Sequence, residues 1–302
     1  MYVAIRDVIL THAGFRSASE GLAALGLDAV EVLVNRDGSL PWPDGGVADA
    51  RCPTDTEADL ARCAAAYQEP GIHVCCLMVA NNFNAEDLDA EVAWAVAAVR
   101  NAEALGSECV RLDAAMTGQH DIPFAQRVRV FADCICRILD ATRASSVPLG
   151  IENHGWQGND PEWLSAVFQR VGSPRVGLAL DTGNFYWAGH ALDDVYRIIQ
   201  QFAPLVKHVH CKNIRLSPGL AKARRVPGWD YGDHICPVPD GDVDHGRILD
   251  ILSAAGYDGG LAIEDESLSR YEGEARLEQL RRDVDCLAEL AMARGGRRTW
   301  AV

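Results

Sequence analysis

No Cys-x-x-Cys pair occurs among the ten cysteines of this 302-residue chain. Most of them sit inside apolar runs: Cys75 and Cys76 in IHVCCLMV, Cys109 ahead of VRL, Cys134 and Cys136 in FADCICRIL. They read as small buried apolar side chains of a protein kept in a reducing compartment. Positive charge is also scarce, with 28 Lys and Arg against 43 Asp and Glu and a formal charge of -15. A nucleic-acid partner needs a basic face, so that class is set aside. The one short basic patch, KARR at 222–225, reads as a solvated loop. No apolar run approaches the roughly 18 residues of a membrane span. MYVAIRDVIL has no basic start followed by an apolar core, so no secretory leader is expected and the location expected is cytoplasmic. No Gly-x-Gly-x-x-Gly follows the first apolar run, so a dinucleotide fold has no support. No Ser/Pro-rich linker divides the chain, and 1–302 is expected to be one domain, with 294–302 a loose tail.

What is present is alternation. Short apolar runs at 2–9, 28–34, 71–79, 109–113, 148–152, 176–181, 205–211 and 260–264 read as strands. Helical stretches lie between and after them, at 17–27, 55–69, 87–105, 124–144, after Pro161, and at 192–202, 243–255 and 272–293. Ser17 is a candidate N-cap, with Gly26 and Gly106 as stops, and Pro161 is tolerated in a first helical turn. The stretch 37–46, with Pro41 and Pro43, reads as a turn-rich loop. Near-continuous apolar strands flanked by helices predict a parallel sheet, and eight such units predict a (β/α)8 TIM barrel. About thirty residues, 214–242, separate the seventh strand from its helix. A structureless connection that long is expected to be functional, as a lid over the catalytic face.

Four of the strands end alike. PLGIENHG reaches Glu152, VGLALDTGN reaches Asp181, LVKHVHCKN reaches His210 and GGLAIEDES reaches Glu264. Glu152 to Asp181 is 29 residues, and so is Asp181 to His210. Barrel strands point their C-terminal ends to one face, and neighbours run about 4.8 Å apart, so these four side chains can converge on one ion. Three carboxylates and an imidazole with no thiolate suit Mn²⁺ or Mg²⁺, with Co²⁺ or Zn²⁺ as alternatives. Such an ion leaves positions for substrate oxygens. Further candidates surround the four. His154, Lys212, His208, Asn184 and Trp187 are expected to face or bind substrate. Trp156, Phe185 and Tyr186 follow ligand-bearing tips, and Asp233, His234 and His245 are read as solvated or lid residues.

The motifs ENHG at 152–155, DTGN at 181–184, HVHCKN at 208–213 and the run GDVDHGRILDIL through GYDGGLAIE at 241–264 carry a resemblance. With them the chain resembles the sugar phosphate isomerase/epimerase family, the xylose isomerase-like barrels, over nearly its whole length. The resemblance implies one divalent metal held by Glu152, Asp181, His210 and Glu264. It also implies that Glu152 and Glu264 face each other across the substrate as an acid/base pair. Three positions depart from the family's ketose 3-epimerases. Asn184 stands where histidine is common, Gly158 where they carry glutamate, and Leu216 where they carry arginine, Arg215 being one residue short.

Three functions follow as expectations. The first is a sugar isomerase, epimerase or lyase that abstracts a proton next to a carbonyl of a sugar, keto-sugar or cyclitol. This includes dehydration of an inosose and β-elimination from a 3-keto-glycoside. The second is a phosphodiester hydrolase similar to the endonuclease IV branch. The third is a non-catalytic sugar-binding subunit. The expected partner is a small sugar or cyclitol, with no nucleic acid and no membrane, and assembly into a homo-oligomer is left open.

Overall fold

The computed structural model describes residues 1–45, 51–228 and 230–301. Eight parallel strands close into a barrel: β1 (Tyr2–Arg6), β2 (Ala29–Leu33), β3 (His73–Val79), β4 (Cys109–Asp113), β5 (Leu149–Glu152), β6 (Val176–Asp181), β7 (Val206–Cys211) and β8 (Gly260–Ile263). Each pairs with its neighbours in chain order, and β8 closes on β1 from Tyr2↔Gly260 to Ile5↔Ile263. Outside lie α1 (Ala18–Leu25), α2 (Glu57–Gln68), α3 (Leu88–Leu105), α4 (Phe124–Ala141), α5 (Pro161–Val171), α6 (Leu192–Phe202), α7 (His245–Ala254) and α8 (Gly273–Met292). The expected (β/α)8 barrel is therefore the fold that forms.

The strands read as continuous apolar runs because both faces are covered; all seven residues of β3 are buried. Helix ends follow local chemistry. Ser17 Oγ accepts from Glu20 N at 3.2 Å to start α1, and Asp160 caps α5 ahead of Pro161. Inside the barrel, Tyr2, Ala4, Ala29, Cys76, Cys109 and Ala262 pack as one cluster of mostly small residues. All ten cysteines are free, and seven are buried, in keeping with their reading as small core residues. At Gly177 an added Cβ would sit 1.9 Å from the Leu205 carbonyl oxygen, so only glycine lets β6 approach the chain entering β7.

Three expectations need correction. The first strand stops at Arg6 rather than Ile9, and a short helix, Asp7–His12, follows. The Asp7 carboxylate turns the chain there, accepting from Val8 N at 2.6 Å and Leu33 N at 3.2 Å. The connection after β7 is not structureless. It holds short helices at Pro218–Ala221 and Tyr231–His234, and Asn213–Ile214 pairs antiparallel with Ile235–Cys236. The tail is held rather than loose as far as Ala301. Val3 N donates to Arg298 O at 3.2 Å, Trp300 N donates to Asp28 Oδ1 at 2.6 Å, and the Trp300 ring stacks on His73 with centroids 4.2 Å apart. Gly46, Trp229 and Val302, which end the expected loop, lie in the expected lid and end the tail, fall outside the described residues. Among the described residues no helix is long and apolar enough to cross a membrane.

Candidate metal centre

Alternation along β7 turns Val206, His208 and His210 to one face, and Lys212 continues that row. The same rule turns Glu152 of β5 and Asp181 of β6 inward. Glu264 lies one residue past β8, yet its N–H still donates to Cys211 O at 3.0 Å, which holds it in the ladder. The four do not share one register. Glu152 is level with Ala179, two residues short of Asp181; Asp181 is level with His210; His210 is level with Ala262, two residues short of Glu264. The stagger and tilt of a closed barrel bring them together regardless. One donor atom from each of Glu152, Asp181, His210 and Glu264 lies within 4.8 Å of the others, and all four residues are buried.

Each of the four has one atom committed to a partner outside the set and one turned toward the set. Glu152 gives Oε2 to the Arg111 guanidinium, leaving Oε1. Asp181 Oδ1 accepts from Gly183 N at 2.8 Å and Asn184 N at 2.9 Å, leaving Oδ2. His210 Nε2 lies 2.7 Å from Glu31 Oε2, leaving Nδ1. Glu264 gives Oε1 to Arg6, leaving Oε2. Asp181 Oδ2 and Glu264 Oε2 are buried and have no hydrogen-bond partner. Buried orphans of that kind are costly, and a cation between them removes the cost. Glu152 Oε1 and Glu264 Oε2 lie 2.7 and 3.3 Å from His210 Nδ1. The residues therefore fit one divalent ion of oxygen-and-imidazole preference.

The electrostatics are close to balanced. Arg6, Arg111 and Lys212 each face a carboxylate of the set, Lys212 Nζ lying 3.2 Å from Asp181 Oδ2 and 3.5 Å from Glu266 Oε2. Burial by itself would raise the Glu152 carboxyl, but Arg111 and His210 outweigh it and hold Glu152 well below the usual range. Burial raises Asp181 against the pull of Lys212. For His210 burial works downward, and Glu31 and Glu152 overcome it, lifting the imidazole to about 9. Glu31 is fully inside the barrel. Burial would raise it too, and His210 and His208 hold it well below the usual range. Glu31, His208 and His210 form a second group of suitable ligand types, but both imidazoles already meet Glu31 through Nε2, at 2.5 and 2.7 Å. That geometry suits Glu31 as the outer partner that orients a ligating histidine.

The other expected site residues fall around this core. His154 is half-exposed at the mouth, its Nδ1 2.9 and 3.0 Å from the two oxygens of Asp113. That hydrogen bond is the first cause of its raised pKa. Asn184 is buried and its Nδ2 has no hydrogen-bond partner. His208 is buried on Glu31, as described. Trp187 packs edge-on against Tyr231 at 5.7 Å, and the Tyr231 hydroxyl donates to Glu266. The connection after β7 thus reaches over Lys212, whose Nζ lies 5.9 Å from the Tyr231 ring. Phe185 and Tyr186 are core residues, and Trp156 packs on Arg127 at 4.6 Å. Asp233 is exposed, and His234 Nδ1 lies 3.1 Å from Arg215 O. His245 is neither a loop residue nor solvated: it opens α7, buried, with Nε2 3.1 Å from Thr182 Oγ1. Within KARR, Arg225 is pinned to Tyr186 O at 2.6 Å rather than solvated.

Arg6, Glu31, Arg111 and Asp113 were not among the expected site residues. Their signal is a charge inside an otherwise apolar strand, at the alternate position that faces the barrel axis: AVEVL, CVRLD and the end of YVAIR. Gly158 has a local cause. A Cβ there would lie 2.7 Å from Ala114 Cβ and 3.0 Å from Glu152 O, so no glutamate fits without moving the backbone. Leu216 is tied through its N–H to Asp242 Oδ2 at 2.7 Å.

The family model described as xylose isomerase-like TIM barrel matches residues 20–290. The chain is 31% identical over 133 residues to the rhizopine catabolism protein MocC of Rhizobium meliloti, which covers 42% of this chain and 39% of that protein. It is 23% identical over 163 residues to the inosose dehydratase of Geobacillus thermodenitrificans, covering 49% and 53%. It therefore spans about two fifths to one half of the length of these curated relatives. Among solved structures, the IolI protein with a bound zinc atom superposes with a TM-score of 0.68 at 16% identity, over 96% of this chain and 99% of that one. At that identity the likeness is one of fold.

Proposed function

The chain belongs to the xylose isomerase-like TIM-barrel family, and from that premise we propose that it is a divalent-metal-dependent enzyme moving a proton on a carbon next to a carbonyl of a sugar, keto-sugar or cyclitol. Glu152, Asp181, His210 and Glu264 hold the ion in this reading, with Mn²⁺ the first choice and Mg²⁺, Co²⁺ or Zn²⁺ the alternatives. The observation that carries it is the set of four buried donor atoms, one per residue, that face one another while each residue's other polar atom is held by a partner outside the set. The ion supplies Lewis acidity, which lowers the cost of negative charge on substrate oxygens.

The chain's own residues do the rest. Glu152 and Glu264 are the acid/base pair, each steadied on an arginine through one oxygen. Arg111 keeps Glu152 ionised, so it can accept a proton at neutral pH. Lys212, His154 and Asn184 are the proposed contacts for substrate hydroxyls and carbonyls. His208 acts through Glu31, and Trp187 through the packing of Tyr231.

Within this reading, β-elimination beside the carbonyl, of water or of an alcohol, is favoured over epimerisation. The match to an inosose dehydratase supports it. So do Gly158, where a side chain has no room, and Leu216, which offers no charge. The test is a panel of ketoses, inososes and 3-keto-glucosides incubated in D₂O with Mn²⁺ and followed by NMR. Solvent deuterium is expected at the carbon beside the carbonyl, with water lost from the inosose. Chelation and Glu264→Gln are each expected to abolish both signals. Absence of exchange on every compound with each of the four metals sinks the proposal.

A further inference from the structure

Beside the four donor atoms, rather than over them, lies a cavity of about 520 Å³. Of the metal-centre residues, Glu264, Arg6 and Glu266 border it. One wall is the short helix Asp7–His12, through Val8, Ile9 and His12; the other is the turn Glu266–Arg270, through Leu268 and Ser269. Arg276 of α8 joins the walls at the outer end, donating from Nη1 to His12 O at 2.7 Å and from Nε to Tyr271 O at 2.8 Å. Those bonds use two of its three nitrogens. The side chains of His12 and Ser269 have no hydrogen-bond partner among the described residues.

The lining has three parts. Arg6, Glu264, Asp265 and Glu266 make a charged end. Val8, Ile9 and Leu268 give an apolar side, and His12, Ser269 and the third Arg276 nitrogen offer uncommitted polar groups at the rim. Pockets built this way bury a ring against the apolar side and orient it by a few polar atoms. A free cyclitol or hexose carries hydroxyls around its whole edge, and those turned to Val8, Ile9 and Leu268 would lose their hydrogen bonds to water without replacement. A group with an apolar face and one or two acceptor oxygens matches the apolar side and the rim, with the sugar it is attached to at the charged end.

Resting on the proposed carbonyl-adjacent chemistry, we propose that this cavity is a second subsite, holding a ring-shaped, apolar-faced substituent attached to the reacting sugar. The preferred substrate is then a glycoside of a keto-sugar, ahead of a free monosaccharide or cyclitol. Its sugar ring lies at the four donors and its aglycone runs past Glu264 between the helix Asp7–His12 and the turn Glu266–Arg270. Specificity for the aglycone rests on Leu268, Ser269 and Arg276, none of which belongs to the acid/base machinery.

The probes are methyl and phenyl 3-keto-β-glucopyranoside and an inosose, with Mn²⁺-loaded protein. Wild type is expected to favour the phenyl over the methyl compound by at least about tenfold in kcat/KM, the range one buried apolar ring supplies. Ser269→Trp, which fills the cavity from an exposed position, is expected to erase that preference through KM and to leave the methyl compound within about twofold. Arg276→Met is a second variant, expected to reduce the preference without altering the methyl compound. Turnover of the methyl compound or inosose with no phenyl preference overturns the subsite and leaves the proposed chemistry standing. An equal loss for all three probes in Ser269→Trp also overturns it, because the cavity then takes the sugar itself. If no probe is turned over, the chemistry fails, and the subsite is decided by binding. Saturation-transfer NMR with phenyl β-glucoside is expected to mark the phenyl protons in wild type and not in Ser269→Trp, and equal marking in both overturns it.

Discussion

Glu31 meets His208 and His210 through a single carboxylate oxygen, at 2.5 and 2.7 Å, while its other oxygen lies 3.3 Å from Arg6 Nε. It has no donor among the four proposed ligands, yet it determines which imidazole nitrogen of His210 is turned toward them. Outer partners of this kind typically account for 10–100-fold of metal affinity. Glu31→Gln is therefore expected to weaken Mn²⁺ binding by about that factor in a chelator competition, and unchanged affinity would falsify the role. His245 gives a separate expectation, on stability. Burial lowers its folded pKa to about 4 from an ordinary value of 6.5. As pH falls below 6.5 the unfolded chain takes up a proton that the folded chain refuses until about 4. The stability contribution is thus complete above 6.5 and is lost progressively toward 4. Between about pH 7 and about pH 5 the loss is roughly 2 kcal/mol. Urea unfolding at those two values is expected to show that extra loss in wild type and not in His245→Gln.

Among the elements, the turn after β5 is the most constrained. Gly158 packs on Ala114 and the Glu152 carbonyl, while Gln157 Nε2 donates to Ala114 O at 2.5 Å and Gln157 Oε1 accepts from Arg127 at 3.2 Å. Gly158→Glu is expected to lower stability by about 1–3 kcal/mol, as overpacking does, and to confer no 3-epimerase activity. A stable variant that epimerises a ketose would overturn that reading. The pattern of strands and helices was legible here and nearly everywhere, because apolar period and capping residues are local. The boundaries that moved did so for contacts made elsewhere. Asp7 ends β1 through Leu33 of the next strand, and the tail is held through Val3 and Asp28. No period or propensity within those segments carries such information.

At the scale of the whole molecule, the upper barrel gathers Arg6, Arg111 and Lys212 with the carboxylates of Glu31, Glu152, Asp181 and Glu264 in a buried space, and two of the carboxylate oxygens accept no hydrogen bond. That arrangement is marginal alone and satisfied by one divalent ion. Chelation is expected to lower the melting temperature, and restored Mn²⁺ in 100-fold excess over its Kd to return about 3 kcal/mol, by the mass-action relation for a ligand of the folded state. Thermal unfolding across a Mn²⁺ titration checks this, and a melting temperature independent of metal would argue against a site in this cluster.

The sequence alone determined the eight alternating units and the four strand tips. A strand buried on both faces must be written in apolar residues, and a residue at its end is identified by position along the chain. It could also nominate Glu152, Asp181, His210 and Glu264 by type. Only the tertiary structure decided which atom of each is turned toward the other three. The partners that occupy the other atoms come from distant strands: Glu31 is 179 residues from His210 and Arg111 is 41 from Glu152. Closure of the barrel and its stagger bring those partners into range, and neither is a property of any single segment.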